Sequence, residues 1–228
     1  MNDTIEQIQT KVQFLSADEA IGQIPEGSSI MVGGFGFPGM PRHLSRALVK
    51  REELSDLTII TNSLGSVSIL NDLFEQNRIK KVVGSFFSTN KELVKAYREG
   101  SVEIELLPQG TFTEAIRLGG AGIPAFFTPT AAGTDLARGK ETRTYNGREH
   151  VLEQSLTADV AIIRAHKADK AGNLVYKKTA QNFNPAMATA AKLTIVEVDE
   201  IVEIGELDPD KIVTPFIFVD IVVKREEV

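Results

Sequence analysis

The residues whose types and spacing best suit chemistry form a glycine-rich segment near the start of the chain, where residues 31–41 read MVGGFGFPGMP. Glycine has no Cβ, so the backbone N–H groups of such a segment can approach a bound group closely. A helix is predicted directly after it, and a helix N-terminus carries a partial positive charge. The segment therefore suits an anionic or thioester-bearing ligand, and its candidate ligand-binding residues are Gly33, Gly34, Phe35, Gly36, Phe37, Pro38 and Gly39.

The same glycines raise a rival interpretation, because Gly34, Gly36 and Gly39 match the G-x-G-x-x-G pattern of dinucleotide-binding domains. Pro38 lies inside this turn, which weighs against that pattern. The next predicted strand ends at Asn62 rather than at an acid able to hold a ribose hydroxyl. These features disfavour an NAD-dependent oxidoreductase, while a tight turn without any ligand stays open.

Two amide side chains are further candidates. Asn62 follows a predicted strand, and ligands of open α/β sheets bind beyond the carboxyl ends of the strands. Gln109 precedes a helix predicted to begin near Thr111, because Thr111 and Glu114 have the spacing of a capping box. The residues alone leave open whether Gln109 contacts a ligand or caps that helix, and whether Asn62 is simply a turn residue.

The remaining polar side chains point to structure rather than chemistry. His43, His150 and His166 share no metal-ligand spacing and the chain has no cysteine, so no metal site and no thiolate catalysis are predicted. We expect His166 to pair with Asp169 in a structural role. A nearby basic stretch is interpreted as a solvated charged face rather than a phosphate site: Lys167, Lys170, Lys177 and Lys178.

Short apolar runs alternate with helical patterns along the chain. We predict helices over residues 42–50, 67–76 and 91–99. Buried strands are predicted over residues 29–32, 57–61, 81–86, 102–106, 160–163, 193–198 and 216–223. Their continuous apolar runs are typical of strands covered on both faces. Residues 119–143 show no period and are predicted to form a packed loop. The alternation predicts an α/β fold with a largely parallel central sheet flanked by helices.

Composition excludes several classes of function. The chain has 228 residues, of which 42% are hydrophobic, and a formal net charge of −6. A net acidic chain is a poor candidate for general nucleic-acid binding. The longest apolar stretch, residues 215–223, carries Asp220 and is much shorter than the roughly 20 residues that span a bilayer. We therefore expect no nucleic-acid partner and no membrane span, and the lack of cysteine suits a cytoplasmic protein.

Several sequence blocks follow the glycine-rich segment in a fixed order. They are LPQGT at 107–111, GGAGIPAF at 119–126, TPT at 128–130, RAHKAD at 164–169 and TAQNFN at 179–184. Together, over about residues 15 to 223, they resemble class I coenzyme A transferases, and in particular the A (α) subunits of the acetate, acetoacetate and succinyl-CoA:3-oxoacid enzymes. Two positions depart from the family pattern. Glu26 stands where the family has Asp or Asn, and Gln181 stands where it has Arg.

The resemblance implies that residues 1–228 form one domain, that of an α subunit with the NagB/RpiA/CoA-transferase-like fold. It implies a transferase that moves CoA between short-chain carboxylic acids through a glutamyl-CoA thioester, with acyl-CoA as substrate and no permanently bound cofactor. The family's nucleophilic Glu lies in a Glu-Asn-Gly context that this sequence lacks. The implied nucleophile therefore belongs to a separate B (β) subunit, in an α2β2 heterotetramer.

The resemblance also assigns roles to particular residues. Gln109 matches a family glutamine near the reacting carbonyl, so we predict a catalytic role for it in orienting and stabilising the oxyanion. From its place at a strand end, Asn62 is predicted to contact CoA or the acyl group. The glycine-rich residues 33–39 are predicted to contact the same groups through their backbone or to build the subunit interface, and the sequence does not separate these two roles. A non-catalytic α/β ligand-binding module remains the alternative, beside the oxidoreductase.

Overall fold

The computed structural model describes residues 12–226. Its helices are α1 (Ala17–Gly22), α2 (Arg42–Lys50), α3 (Asn71–Glu75), α4 (Lys91–Arg98), α5 (Gln109–Gly120) and α6 (Asn184–Thr189). Its strands are β1 (Gln13–Phe14), β2 (Ser29–Val32), β3 (Leu57–Ile60), β4 (Ile79–Gly84), β5 (Glu103–Leu106), β6 (Ala125–Thr128), β7 (Thr142–Tyr145), β8 (Arg148–Gln154), β9 (Ala158–Arg164), β10 (Lys167–Asp169), β11 (Leu174–Val175), β12 (Ala191–Val198), β13 (Glu200–Val202) and β14 (Ile221–Lys224).

The main sheet of the described residues has eight strands in the order β1-β14-β12-β9-β2-β3-β4-β5. Every neighbouring pair in it is parallel. The chain runs from β2 outward to β5, and later returns to the other side of β2 to form β9, β12 and β14. The strand order therefore reverses between β2 and β9, and such a reversal opens a crevice at the carboxyl ends of the strands. The predicted α/β fold with a parallel central sheet is confirmed.

Both faces of this sheet are covered, which explains the continuous apolar runs. On β2, Ile30 and Val32 belong to one hydrophobic core and Met31 belongs to the other, because successive side chains of a strand point to opposite faces. Buried residues of α1, α2, α3 and α4 pack in the first core. Buried residues of α5 and α6, including Phe112 and Met187, pack in the second. The sheet thus lies between two helical layers.

The prediction of a loop over residues 119–143 was wrong. Residues Gly119 and Gly120 end α5, β6 follows, Asp135–Ala137 form a 3₁₀ turn, and β7 begins at Thr142. Strands β6, β8 and β7 form a small antiparallel sheet. Strand β6 pairs with β8 more than twenty residues further along the chain, so its local sequence carried little signal of the pairing.

Two predicted elements are shorter than expected. Helix α3 covers only Asn71–Glu75 of the predicted 67–76, and its first residues are preceded by a turn in which Asn71 N–H donates to the Ser68 carbonyl at 2.9 Å. Of the predicted strand 216–223, Phe216–Phe218 form a 3₁₀ turn after Pro215, and only the end belongs to β14 (Ile221–Lys224). Proline fixes φ and favours such a turn at its C-terminal side.

The other helix boundaries agree closely with the sequence. Helix α2 covers the predicted residues 42–50, and α4 ends just before Gly100, whose φ of +77° fits a glycine stop. The capping box was wrong, because α5 begins at Gln109 after Pro108 and Thr111 lies inside the helix. No helix found within residues 12–226 has the length and apolar character needed to cross a bilayer.

Candidate functional site

Predicted site residues lie at one edge of the main sheet, at the carboxyl ends of neighbouring strands, and Ser85, which the sequence analysis did not select, lies among them. Gly33 follows β2 directly, Asn62 lies just beyond β3, Ser85 follows β4, and Gln109 lies just beyond β5. Neighbouring strands are about 4.8 Å apart. These four residues therefore lie in sequence along a single edge, from Gly33 at the β2–β9 reversal to Gln109 beyond the outermost strand, β5, about 14 Å away.

The glycine-rich turn after β2 needs its glycines for backbone geometry. The φ angles of Gly34, Gly36 and Gly39 are +113°, +59° and +72°, a region that L side chains rarely adopt. A Cβ at Gly34 would also lie 2.9 Å from the Met40 Cα. The turn closes on itself through the Phe35 N–H, which donates to the Pro38 carbonyl at 3.0 Å. The turn is therefore a specific structure rather than a flexible linker.

Asn184 holds this turn against the rest of the sheet, a role that the sequence analysis missed. Its side chain is buried, and Oδ1 accepts from the Arg164 N–H at 3.0 Å, at the end of β9. Its Nδ2 donates to the Gly39 carbonyl at 3.1 Å and to the Ala180 carbonyl at 2.9 Å. One amide therefore joins three separate segments. The only sequence signal was its place at the end of the TAQNFN block.

Glu197 supports the helix that follows the turn, and the sequence analysis missed it too. It is fully buried on β12, and Oε2 accepts from the N–H groups of His43 at 2.7 Å and Leu44 at 3.0 Å, in the first turn of α2. Its Oε1 has no partner among the described residues. Burial raises the pKa of Glu197, and the two backbone hydrogen bonds partly oppose that shift. A carboxylate here suits the positive end of the helix.

A cavity of about 120 Å³ lies between the glycine-rich turn and the end of β3. None of the side chains that line it is ionisable. Of the predicted residues, Phe35, Pro38, Gly39, Asn62 and Gln109 do not line it. The turn contributes Gly33, Gly34, Gly36 and Phe37, and the opposite wall includes Thr61, Ser63 and Ser68.

The two predicted amides differ in their surroundings. Asn62 is buried, and its Nδ2 donates to Ser85 Oγ at 2.8 Å, while its main-chain carbonyl accepts from the Ser85 and Phe86 N–H groups. Asn62 therefore ties the end of β3 to the end of β4. Gln109 is exposed at the first position of α5, and no side chain caps that helix. Its amide is free to face whatever packs on this edge.

The predicted pairing of His166 with Asp169 is wrong. His166 Nδ1 lies 3.1 Å from Asp199 Oδ2, and Asp199 also pairs with Arg164 at 3.0 Å. Asp169 instead accepts from the N–H groups of its own turn, because that turn follows it directly in the chain. No group of three or more His, Cys, Asp or Glu side chains in residues 12–226 is arranged to hold a metal ion. Two of the nearby lysines form surface ion pairs, as a solvated face would: Lys167 with Glu200 and Lys170 with Glu203.

Comparison with known proteins identifies the family. Residues 14–225 match the family model described as Coenzyme A transferase. The chain belongs to the coenzyme A transferase family. This membership favours the transferase interpretation over the NAD-dependent oxidoreductase and the non-catalytic module. The resemblance seen in the sequence blocks is confirmed.

Two relatives of this coenzyme A transferase chain cover nearly its whole length. It is 50% identical over 213 residues to the A subunit of the 3-oxoadipate CoA-transferase of Pseudomonas putida, and the match covers 92% of each chain. It is 43% identical over 218 residues to the alpha subunit of the acetate CoA-transferase of Escherichia coli strain K12, covering 95% of this chain and 99% of the relative. Both names designate one subunit of a transferase with at least two kinds of subunit.

A solved structure shares the fold of this coenzyme A transferase chain. It is the acyl-CoA transferase YdiF of Escherichia coli O157:H7, in a thioester complex with CoA, with a TM-score of 0.84 and 21% identity. The match covers 94% of this chain and 50% of that polypeptide. The chain therefore corresponds in fold to half of a longer transferase.

Proposed function

We propose that this chain is the α subunit of a CoA transferase that exchanges CoA between short-chain carboxylic acids, and that it shapes the acyl-binding cleft without carrying the nucleophile. The observation that carries the proposal is the row of Gly33, Asn62, Ser85 and Gln109 along one sheet edge, beside an uncharged cavity. Membership in the family supplies the reaction class.

The reaction needs a carboxylate that accepts the acyl group. The carboxylate attacks the acyl-CoA carbonyl, which forms a mixed anhydride and releases CoA as its thiolate. The thiolate attacks the glutamyl carbonyl, giving the glutamyl-CoA thioester and releasing the first acid as its carboxylate. The second acid then reverses both steps, so the kinetics are ping-pong.

The proposed cleft of this chain lacks such a carboxylate. No Asp or Glu lines the cavity at the glycine-rich turn. The buried Glu197 is not available, because it lies beneath α2 and accepts from two backbone N–H groups there. We therefore assign the nucleophilic Glu to a β subunit, in an α2β2 heterotetramer.

The carboxyl edge of the sheet also fits a surface that a partner covers. Phe35, Phe37 and Phe86 project from the ends of β2 and β4 with exposed fractions of 47%, 57% and 51%. Large aromatic side chains are enriched at protein interfaces. A β subunit that packs on them brings its carboxylate over the row that ends at Gln109.

Gln109 has the position expected of an oxyanion donor in this assembly. Its side chain is exposed at the start of α5, so its amide N–H is available to a carbonyl oxygen held between the subunits. A donor that is already in place stabilises the negative charge of the tetrahedral intermediate. The glycine-rich turn would contribute shape and backbone contacts rather than a reacting group.

Reconstitution tests this proposal. The chain is purified alone and together with the product of a candidate β-subunit gene, and CoA transfer from acetyl-CoA to acetoacetate is followed. We expect turnover only from the complex. Intact mass spectrometry of the complex after mixing with acyl-CoA should find the CoA adduct on the partner alone. Turnover by the isolated chain, or an adduct on one of its carboxylates, would contradict the proposal.

A further inference from the structure

The cavity at the glycine-rich turn has a chemistry that bears on the acids the enzyme uses. It is lined by glycines, by apolar residues such as Phe37 and Met40, and by the hydroxyl-bearing residues Thr61, Ser63 and Ser68. No charged side chain lines it. Since it lies at the carboxyl ends of β2 and β3, on the edge of the sheet where the proposed donor Gln109 follows β5, it is positioned to receive the tail of an acyl group bound along this edge.

We propose, on the basis of the proposed function, that this cavity receives the acyl tail and selects short neutral tails, with or without a 3-oxo group, against tails that end in a second carboxylate. The substrates would be monocarboxylic acids such as acetate, butyrate and acetoacetate. Dicarboxylic acids such as succinate and 3-oxoadipate would be poor substrates.

Charge is the first argument. A carboxylate placed in an uncharged cavity loses its hydration and gains no counter-ion, which is far more costly than burying a neutral group. The nearest arginine in sequence, Arg42, lies over the ring of Phe37, with its guanidinium carbon 5.5 Å from the ring centroid. It lines a separate cleft with Arg46 and Arg164, and does not line this cavity.

The position of the charge along the tail is the second argument. The tail of an acetoacetyl group beyond its thioester carbonyl has four non-hydrogen atoms, and that of a butyryl group has three, none of them charged. A succinyl tail has five and a 3-oxoadipyl tail has eight, and each ends in a carboxylate at the end far from the thioester. A dicarboxylic tail that enters this cavity therefore carries its charge in among the uncharged walls.

The hydroxyl groups are the third argument. A 3-oxo oxygen accepts a hydrogen bond, and the hydroxyls of Thr61, Ser63 and Ser68 are donors in the cavity wall. A 3-oxoacyl tail can therefore be accommodated without leaving its oxygen unpaired. The names of the relatives do not decide the question, since succinyl-CoA:3-ketoacid, 3-oxoadipate and acetate enzymes all match this chain, at 43–50% identity.

The first test is a substrate panel on the reconstituted complex. With acetyl-CoA as donor, kcat/KM is measured for butyrate, acetoacetate, succinate and 3-oxoadipate as acceptors. We expect values for the two monocarboxylic acids that exceed those for the dicarboxylic acids by about 100-fold or more. Equal or higher values for a dicarboxylic acid would overturn the inference and leave the transferase function standing. A complex inactive with every acid would instead refute the proposed function.

A matched pair of variants tests whether the tail enters this cavity. Ser68→Lys places a cation in its wall, and Ser68→Met places an unbranched neutral chain of similar length there. In the complex, we expect the ratio of kcat/KM for succinate over butyrate to be at least about tenfold higher for the lysine variant than for the methionine variant. Equal ratios in the two assembled variants would show that the tail lies elsewhere. If either variant fails to assemble with the β subunit, the acceptor panel on the unmodified complex decides alone.

Discussion

Asn184 occupies the space that a side chain at position 33 would need. A Cβ added to Gly33 would lie 1.8 Å from Asn184 Oδ1. The same amide binds the Gly39 carbonyl at 3.1 Å, at the other end of the glycine-rich turn. The absence of a side chain at Gly33 therefore leaves the space that the Asn184 amide fills, and this amide holds the turn against β9.

This relationship predicts a coupled mutational effect. Asn184→Ala should lower the free energy of unfolding by about 3 kcal/mol, because it leaves buried backbone groups unpaired. Gly33→Ala should cost about 1–3 kcal/mol through overpacking. The double variant should lose less stability than the two single effects add up to, by about 1 kcal/mol or more, since removing the amide makes room for the new methyl group. Urea unfolding of the four proteins measures this coupling.

A glycine at the end of a helix provides the control for this set of variants. Gly22 ends α1, and a Cβ there would have no neighbour within 4 Å. Gly22→Ala should therefore leave stability unchanged or raise it slightly. If the effects of Gly33→Ala and Asn184→Ala on the free energy of unfolding are strictly additive, the proposed contact between the two positions is contradicted.

Gln109 should affect turnover without affecting folding. In the reconstituted complex, Gln109→Ala should lower kcat and kcat/KM together by about 10- to 1000-fold, a range whose upper part matches the loss of one oxyanion donor. The melting temperature should not change, because the side chain is exposed at the first position of α5. Steady-state kinetics and a thermal melt check both. Thr113→Ala, at an exposed position one turn further along α5, should retain full turnover, and a fully active Gln109→Ala complex would refute the donor role.

The exposed aromatics predict where the partner binds. Phe86 is 51% exposed beyond the end of β4, and Phe86→Asp should weaken association with the β subunit by at least about 30-fold, because it places a charge in the core of the interface. Tyr97 is 52% exposed on α4, in the helical layer on one face of the sheet. Tyr97→Asp should therefore leave association unchanged. Sedimentation or light scattering of the mixed subunits measures the association of each variant. Equal weakening by Phe86→Asp and Tyr97→Asp would argue against this interface.

Glu197 predicts a dependence of stability on pH. Burial raises the pKa of Glu197 above its unfolded value, which is about 4.3. The native state therefore keeps the proton to a higher pH than the unfolded chain does. As a result, the free energy of unfolding falls as pH rises from the unfolded-state pKa through the raised native-state pKa of Glu197. Glu197→Gln removes this fall and keeps an oxygen that can accept from the His43 and Leu44 N–H groups.

The measurement for Glu197 is a set of urea unfolding curves between about pH 4 and pH 8. The free energy of unfolding of Glu197→Gln, relative to that of the unmodified chain, should increase with pH over this range. The exposed Glu149 serves as control, since Glu149→Gln should give a constant difference. Parallel pH curves for Glu197→Gln and the unmodified chain would show that the buried carboxyl does not carry this effect.

Several elements were predictable because their signals are local. The continuous apolar runs of β2 and β12 follow from coverage on both faces of a parallel sheet, and Gly100 marks the end of α4. Elements that depend on distant partners were not predictable in this way. Strand β6 is defined by pairing with β8, and the helical pattern over 67–76 continues only from Asn71 to Glu75.

The amino-acid sequence by itself determined the fold class, the glycine-rich turn and the family, because each is recorded in residue types and in the order of short blocks. Only the tertiary structure decided that Asn184 fastens the turn, that Glu197 caps α2 from beneath, and that the cavity holds no charge. These facts depend on which residues of β2, β9, β12 and α6 meet in space. Contacts between residues more than 140 positions apart leave no periodic trace in the chain, because nothing in the local backbone requires them.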